Sequence, residues 1–129
     1  MAAHRLLILD DETAIAELVE RVAAECGFET RLAFDAAMFW DAYDDFKPTL
    51  IVLDLNVPGA RHSDMVHALA DRGCAAGVIV TSGSDTQGLA LVEQIGRARG
   101  LTIVGTMAKP YRLAELRRRL AELTRAGGA

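Results

Sequence analysis

A doubly wound α/β fold, with a parallel sheet covered by helices on both faces, is predicted by three features of the chain. Short apolar runs of strand-forming residues recur five times, at 6–9, 28–34, 50–54, 77–83 and 101–108. Each run is followed by a stretch whose apolar residues return at helical spacing. The connections are short, so the strand-to-strand crossovers must be right-handed and the neighbouring strands parallel.

The first run, Leu6, Leu7, Ile8 and Leu9, leads directly into Asp10, Asp11 and Glu12. Ile15, Leu18, Val19, Val22 and Cys26 then mark one face of a helix that Gly27 ends. Residues 28–34 are more polar, as expected of a strand near a sheet edge, and Phe39, Ala42, Tyr43 and Phe46 form a second helical stripe closed by Lys47 and Pro48. Residues 50–54 are apolar up to their last member, Asp54, which stands just before the turn forced by Pro58 and Gly59. A short helix over 63–72 turns Met65, Val66 and Leu69 inward and stops at Gly73. After the fourth strand, Ser84, Asp85, Thr86 and Gln87 have the capping-box form that opens a helix over about 85–99, ended by Gly100. Lys109 and Pro110 turn the chain after the fifth strand. Leu113, Leu116, Leu120 and Leu123 make the inner stripe of a final helix whose Arg117, Arg118 and Arg119 are expected on its solvated face.

With 129 residues, 51% hydrophobic and 25% charged, the chain suits one domain over 1–129 with a core at about 5–124. A net charge of -4 implies no general attraction for nucleic acid or an anionic membrane. Cys26 and Cys74 lack metal-ligand spacing and fit a reducing compartment. The N-terminal apolar run is too short for a signal-peptide core or a membrane span, so a cytoplasmic protein is expected. His4, His62 and His67 have no metal spacing and are assigned no role.

In such a sheet the ligand crevice lies beyond the carboxyl ends of the strands, where the sequence places Asp10, Asp11, Asp54, Ser82 and Lys109. Singly, each has a plain reading: the acidic pair caps a helix, the serine starts a turn, the lysine is solvated. Together they bring polar groups from four strands to one rim. Three carboxylates there repel one another and would draw in a hard divalent cation, most naturally magnesium. That cation would orient a phosphoryl group arriving at Asp54, with the Lys109 ammonium and the Ser82 hydroxyl on the remaining phosphoryl oxygens. The predicted chemistry is aspartyl phosphorylation.

These residues resemble the receiver domains of two-component response regulators, and the resemblance runs from Arg5 to Leu123. It is carried by the acidic pair Asp10 and Asp11, by Asp54 with Pro58 four residues on, by Ser82 with Gly83, and by Lys109 with Pro110. The resemblance implies a flavodoxin-like sheet of order 2-1-3-4-5 and a cis Lys109–Pro110 bond. It also implies magnesium on Asp11, Asp54 and the backbone carbonyl of Asn56, with Asp10 acting largely through water. The implied partners are a sensor His kinase or a phosphotransfer protein, and an output protein or domain. The implied catalysis is limited to the chain's own phosphorylation and dephosphorylation.

Some positions depart from the family pattern. His62 stands where the family usually has glycine, Thr81 competes with Ser82 as the switch hydroxyl, and Thr106 occupies the position of a switch aromatic. Gly83 supplies the small neighbour that favours Ser82. Thr106 cannot fill a ring-sized pocket, so the signal is expected to leave through 82–85 and the following helix. The long interval from Ser82 to Lys109, and the wording of 81–85 and 104–111, resemble receivers joined to EAL-type cyclic-di-GMP phosphodiesterases. Two other readings are an aspartyl-phosphate phosphohydrolase, which wants an acid where Asn56 stands, and a pseudo-receiver, which would lack the acids or the lysine.

Overall fold

Period-two alternation along buried strands divides their side chains between two cores, one on each face of the sheet. The structure, a computed structural model, describes residues 4–57, 63–83, 86–110 and 112–128. Strands β1 (His4–Leu9), β2 (Phe28–Ala33), β3 (Leu50–Asp54), β4 (Gly77–Ser82) and β5 (Thr102–Ala108) form one parallel sheet in the order β2-β1-β3-β4-β5. They alternate with α1 (Thr13–Glu25), α2 (Ala36–Phe46), α3 (Asp64–Asp71), α4 (Thr86–Ala98) and α5 (Leu113–Gly128). Leu7, Leu9, Ile51, Leu53, Val78 and Val80 pack with Phe39, Val66, Leu69 and Val92 of α2, α3 and α4. Leu6, Ile8, Leu50, Val52, Ile79 and Met107 pack with Val19, Val22, Leu116 and Leu120 of α1 and α5. Both faces are therefore covered, and β3, flanked by β1 and β4, is buried along its whole length.

The helix ends follow local chemistry. The Asp35 side chain accepts the Met38 N–H at 2.8 Å and so caps α2. Gly27, Gly73 and Gly100 take positive φ where α1, α3 and α4 stop. Lys47 does the same without being glycine, at φ 53°, immediately before Pro48. The expected start of α4 at Asp85, and with it Ser84 and Asp85 of the capping box, lie outside the described residues. Pro58, Gly59, His62 and Tyr111 also lie outside them. Among the described residues no helix is long and apolar enough to cross a membrane. Cys74 is buried in the core and Cys26 is half-buried at the end of α1.

Some surface expectations need correction: Leu18 and Leu113, expected on inner stripes, are exposed. Arg117 and Arg118 are exposed, but Arg119 lies half-buried against β5, with a buried Nε that has no hydrogen-bond partner among the described residues. The cause is a bulge in the β4–β5 ladder. Val78 pairs with Ile103 and Ile79 with Gly105, leaving Val104 as an extra residue. A Cβ on Gly105 would collide with Nη1 of Arg119, so this glycine provides the room that the guanidinium occupies. Helical periodicity alone placed Arg119 in water; the shape of β5 draws it in.

Candidate functional site

Four strands end at one rim, and each end carries a polar residue. Asp10 follows β1 directly and is 1% exposed. Its backbone N–H donates to Ala33 at the end of β2 at 3.1 Å, and its Oδ1 accepts the N–H of Glu12 at 2.9 Å. Asp54 is the last residue of β3 and equally buried, with Oδ1 accepting the Asn56 N–H at 3.0 Å. Lys109 follows β5, and its backbone N–H donates to the carbonyl of Ser82 at 2.8 Å. That bond ties the end of β5 to the end of β4. The Lys109–Pro110 bond is cis, as the family resemblance implies.

The lysine ammonium sits among three carboxylates. Nζ lies 2.8 Å from Asp10 Oδ2, 2.9 Å from Glu12 Oε1 and 3.0 Å from Asp54 Oδ2. Burial pushes the Asp10 carboxyl above its ordinary value, and the hydrogen bond from Lys109 opposes that push. Burial alone would lower Lys109, but its hydrogen bonds with Asp10, Glu12 and Asp54 outweigh burial and raise it above the ordinary lysine value. Three carboxylates against one ammonium leave the pocket with an excess of negative charge. Oxygens of Asp10, Glu12 and Asp54 all lie within 4.8 Å of one another. Such an all-oxygen, anionic set fits a hard divalent cation.

The expected site residues divide as follows. Asp10, Asp54 and Lys109 meet directly. Ser82 is buried at the end of β4, with its Oγ 3.4 Å from Nδ2 of the exposed Asn56. A Cβ on Gly83 would lie 3.4 Å from the same Nδ2. Thr81 is also buried, and its hydroxyl has no hydrogen-bond partner among the described residues. Asp11 is exposed and is not one of the three converging carboxylates. Glu12 reaches Lys109 instead, a contact that sequence reasoning missed although the residue belongs to the same acidic run.

Comparison with known proteins agrees with this geometry. The family described as "Response regulator receiver domain" matches residues 6–121. The chain is 32% identical over 94 residues to the DNA-binding response regulator MtrA of Mycolicibacterium paratuberculosis, covering 72% of this chain and 41% of that protein. It thus spans about two fifths of the length of that relative. Among solved structures, the receiver domain of NtrX from Brucella abortus superposes with a TM-score of 0.75 at 27% identity, covering 91% of this chain and 98% of that one. A response regulator receiver from Bermanella marisrubri gives a TM-score of 0.79 at 23% identity, covering 95% of this chain and 99% of that one, a likeness of fold. With a matching family over nearly its whole length, the expected sheet order and an acidic rim closed by a lysine, this chain is a response regulator receiver domain of two-component signalling.

Proposed function

We propose that Asp54 accepts a phosphoryl group from a sensor His kinase or a phosphotransfer protein, and that the chain, as one domain over 1–129, passes the signal to an output partner in the cytoplasm. The observation that carries this reading is Asp54 itself, a 1%-exposed carboxylate at the end of the central strand, 3.0 Å from the Lys109 ammonium. A buried carboxylate in an anionic pocket is costly to hold unless a cation or a reaction uses it. Asp10, Asp11, Asp54 and the backbone carbonyl of Asn56 would hold magnesium, which when bound neutralises and orients the incoming phosphoryl group.

In the transfer, a carboxylate oxygen of Asp54 bonds to phosphorus as the bond from phosphorus to the donor nitrogen breaks. The electron pair of that bond leaves with the imidazole ring. Lys109 and the Ser82 hydroxyl supply hydrogen-bond donors to the phosphoryl oxygens. On this reading catalysis is confined to the domain's own phosphorylation and dephosphorylation. A phosphohydrolase reading fares worse because Asn56, the second residue after Asp54, has an amide in place of an acid.

The phosphoaspartate carries about two negative charges beside Ser82, about one more than the carboxylate it replaces, and must act through contacts that differ between the two states. Thr106 is too small to fill a ring-sized pocket, so the change passes through the end of β4 and the start of α4 to the face of α4, β5 and α5. The likeness to EAL-linked receivers rests on the wording of 81–85 and 104–111, whereas the named relative is a DNA-binding regulator. Acetyl phosphate with magnesium should label the protein with one phosphoryl group, and Asp54→Asn should remove the label. Full labelling of Asp54→Asn would overturn the reading.

A further inference from the structure

The Lys109 ammonium has three N–H groups, and the resting site uses all three. Asp10, Glu12 and Asp54 each lie within 3.0 Å of Nζ. If Asp54 is the phosphoacceptor, on which this inference rests, Lys109 must turn at least one N–H to a phosphoryl oxygen. The contact to Asp54 is given up as its carboxylate becomes the acyl phosphate. Of the two partners that remain, Asp10 is poorly placed to let go: it is 1% exposed and pinned by the backbone N–H of Glu12. Glu12 differs, because its side chain is 57% exposed and can swing into water.

A second observation marks the contact as more than a stray surface pair. Glu12 occupies the N-cap of α1, where a short polar side chain would bond to the exposed N–H groups of the first turn. Its side chain makes no such bond and reaches instead to a lysine 97 residues away in sequence.

We propose that Glu12 is a positioning residue, a latch that holds Lys109 in the resting site and releases it when the phosphoryl group arrives. The latch stabilises the unphosphorylated state alone. It therefore slows phosphorylation and leaves autodephosphorylation, which starts from the released state, nearly untouched. Glu12→Gln removes the charge, and Glu12→Asp keeps the charge but shortens the reach by one methylene.

The test follows phosphorylation by acetyl phosphate, and separately autodephosphorylation, in the wild type and both variants, with folding checked by circular dichroism. Both variants should phosphorylate roughly two- to fivefold faster, the size of a half-exposed ion pair, while autodephosphorylation moves less than twofold. Acceleration in Glu12→Gln with Glu12→Asp behaving as wild type would mean that charge alone matters, and would overturn the latch. So would unchanged phosphorylation in both variants, or equal changes in the two rates. An unlabelled wild type would instead remove the phosphoacceptor reading beneath it.

Discussion

The two ends of the sheet are built from the same strands and solve opposite problems. At the carboxyl ends the apolar runs stop on Asp10, Asp54, Ser82 and Lys109, all buried or nearly so, and Lys109 pairs with both aspartates. At the amino ends the sheet opens on an apolar cavity of about 380 Å³, lined among others by Phe28, Leu50, Gly77, Val104 and Leu123. Imperfect packing at the amino end costs only dispersion contacts and buried area. At the carboxyl end, buried charge must be matched group by group. The contrast separates a rim governed by packing from one governed by the matching of buried charge.

Removing the matching charge should break this contrast most severely. Lys109→Met leaves Asp10 and Asp54 buried without their cation and should cost about 3–5 kcal/mol in urea unfolding without magnesium. Added magnesium should restore part of that loss by supplying positive charge in its place. If Lys109→Met were as stable as wild type in the absence of divalent ions, the carboxyl rim would not be under the electrostatic load described.

Leu50→Ala tests the other rim. Leu50 is 4% exposed beside the apolar cavity, and its truncation should cost about 2–5 kcal/mol by enlarging it. Phosphorylation of the folded protein should stay at the wild-type rate. A large loss of phosphorylation in folded Leu50→Ala would couple the two ends and blur the distinction.

A smaller effect sharpens the comparison through pH. Burial raises the folded-state Asp10 above its ordinary 3.8, so the folded protein binds this proton more tightly than the unfolded chain does. Stability from this group is full below about pH 4 and is lost as pH rises through the raised value. The raised Lys109 has the same sign in a higher window: its contribution is intact through neutral pH and is lost only above the ordinary lysine range. In magnesium-free unfolding curves, Asp10→Asn should lack the decline that wild type shows as pH rises above the ordinary value of 3.8.

The rim was legible in the sequence because each of its residues ends an apolar run, and alternation then fixes which end of the sheet it occupies. Asp10, Asp54, Ser82 and Lys109 needed no more than that. Glu12 was not legible. Its place at a helix start has a sufficient local explanation, and its actual partner depends on where β5 delivers Lys109. The family resemblance singled out Asp11, and nothing in the acidic run marked Glu12 as the acid that reaches Lys109. Arg119 was hidden for a related reason. A bulge at Val104 leaves no periodic signature, yet it decides that this arginine lies against Gly105 while Arg118 stays in water.

The central claim is that, of the four acids gathered near this rim, Asp54 alone takes the phosphoryl group. Borohydride reduces an acyl phosphate on an aspartate to the alcohol, marking the residue that carried it. The protein should be phosphorylated with acetyl phosphate and magnesium, reduced with tritiated borohydride, and mapped by peptide sequencing. Label at position 54 and at no other acid is the predicted result; label at Asp10, Asp11 or Glu12 with none at Asp54 would contradict the account.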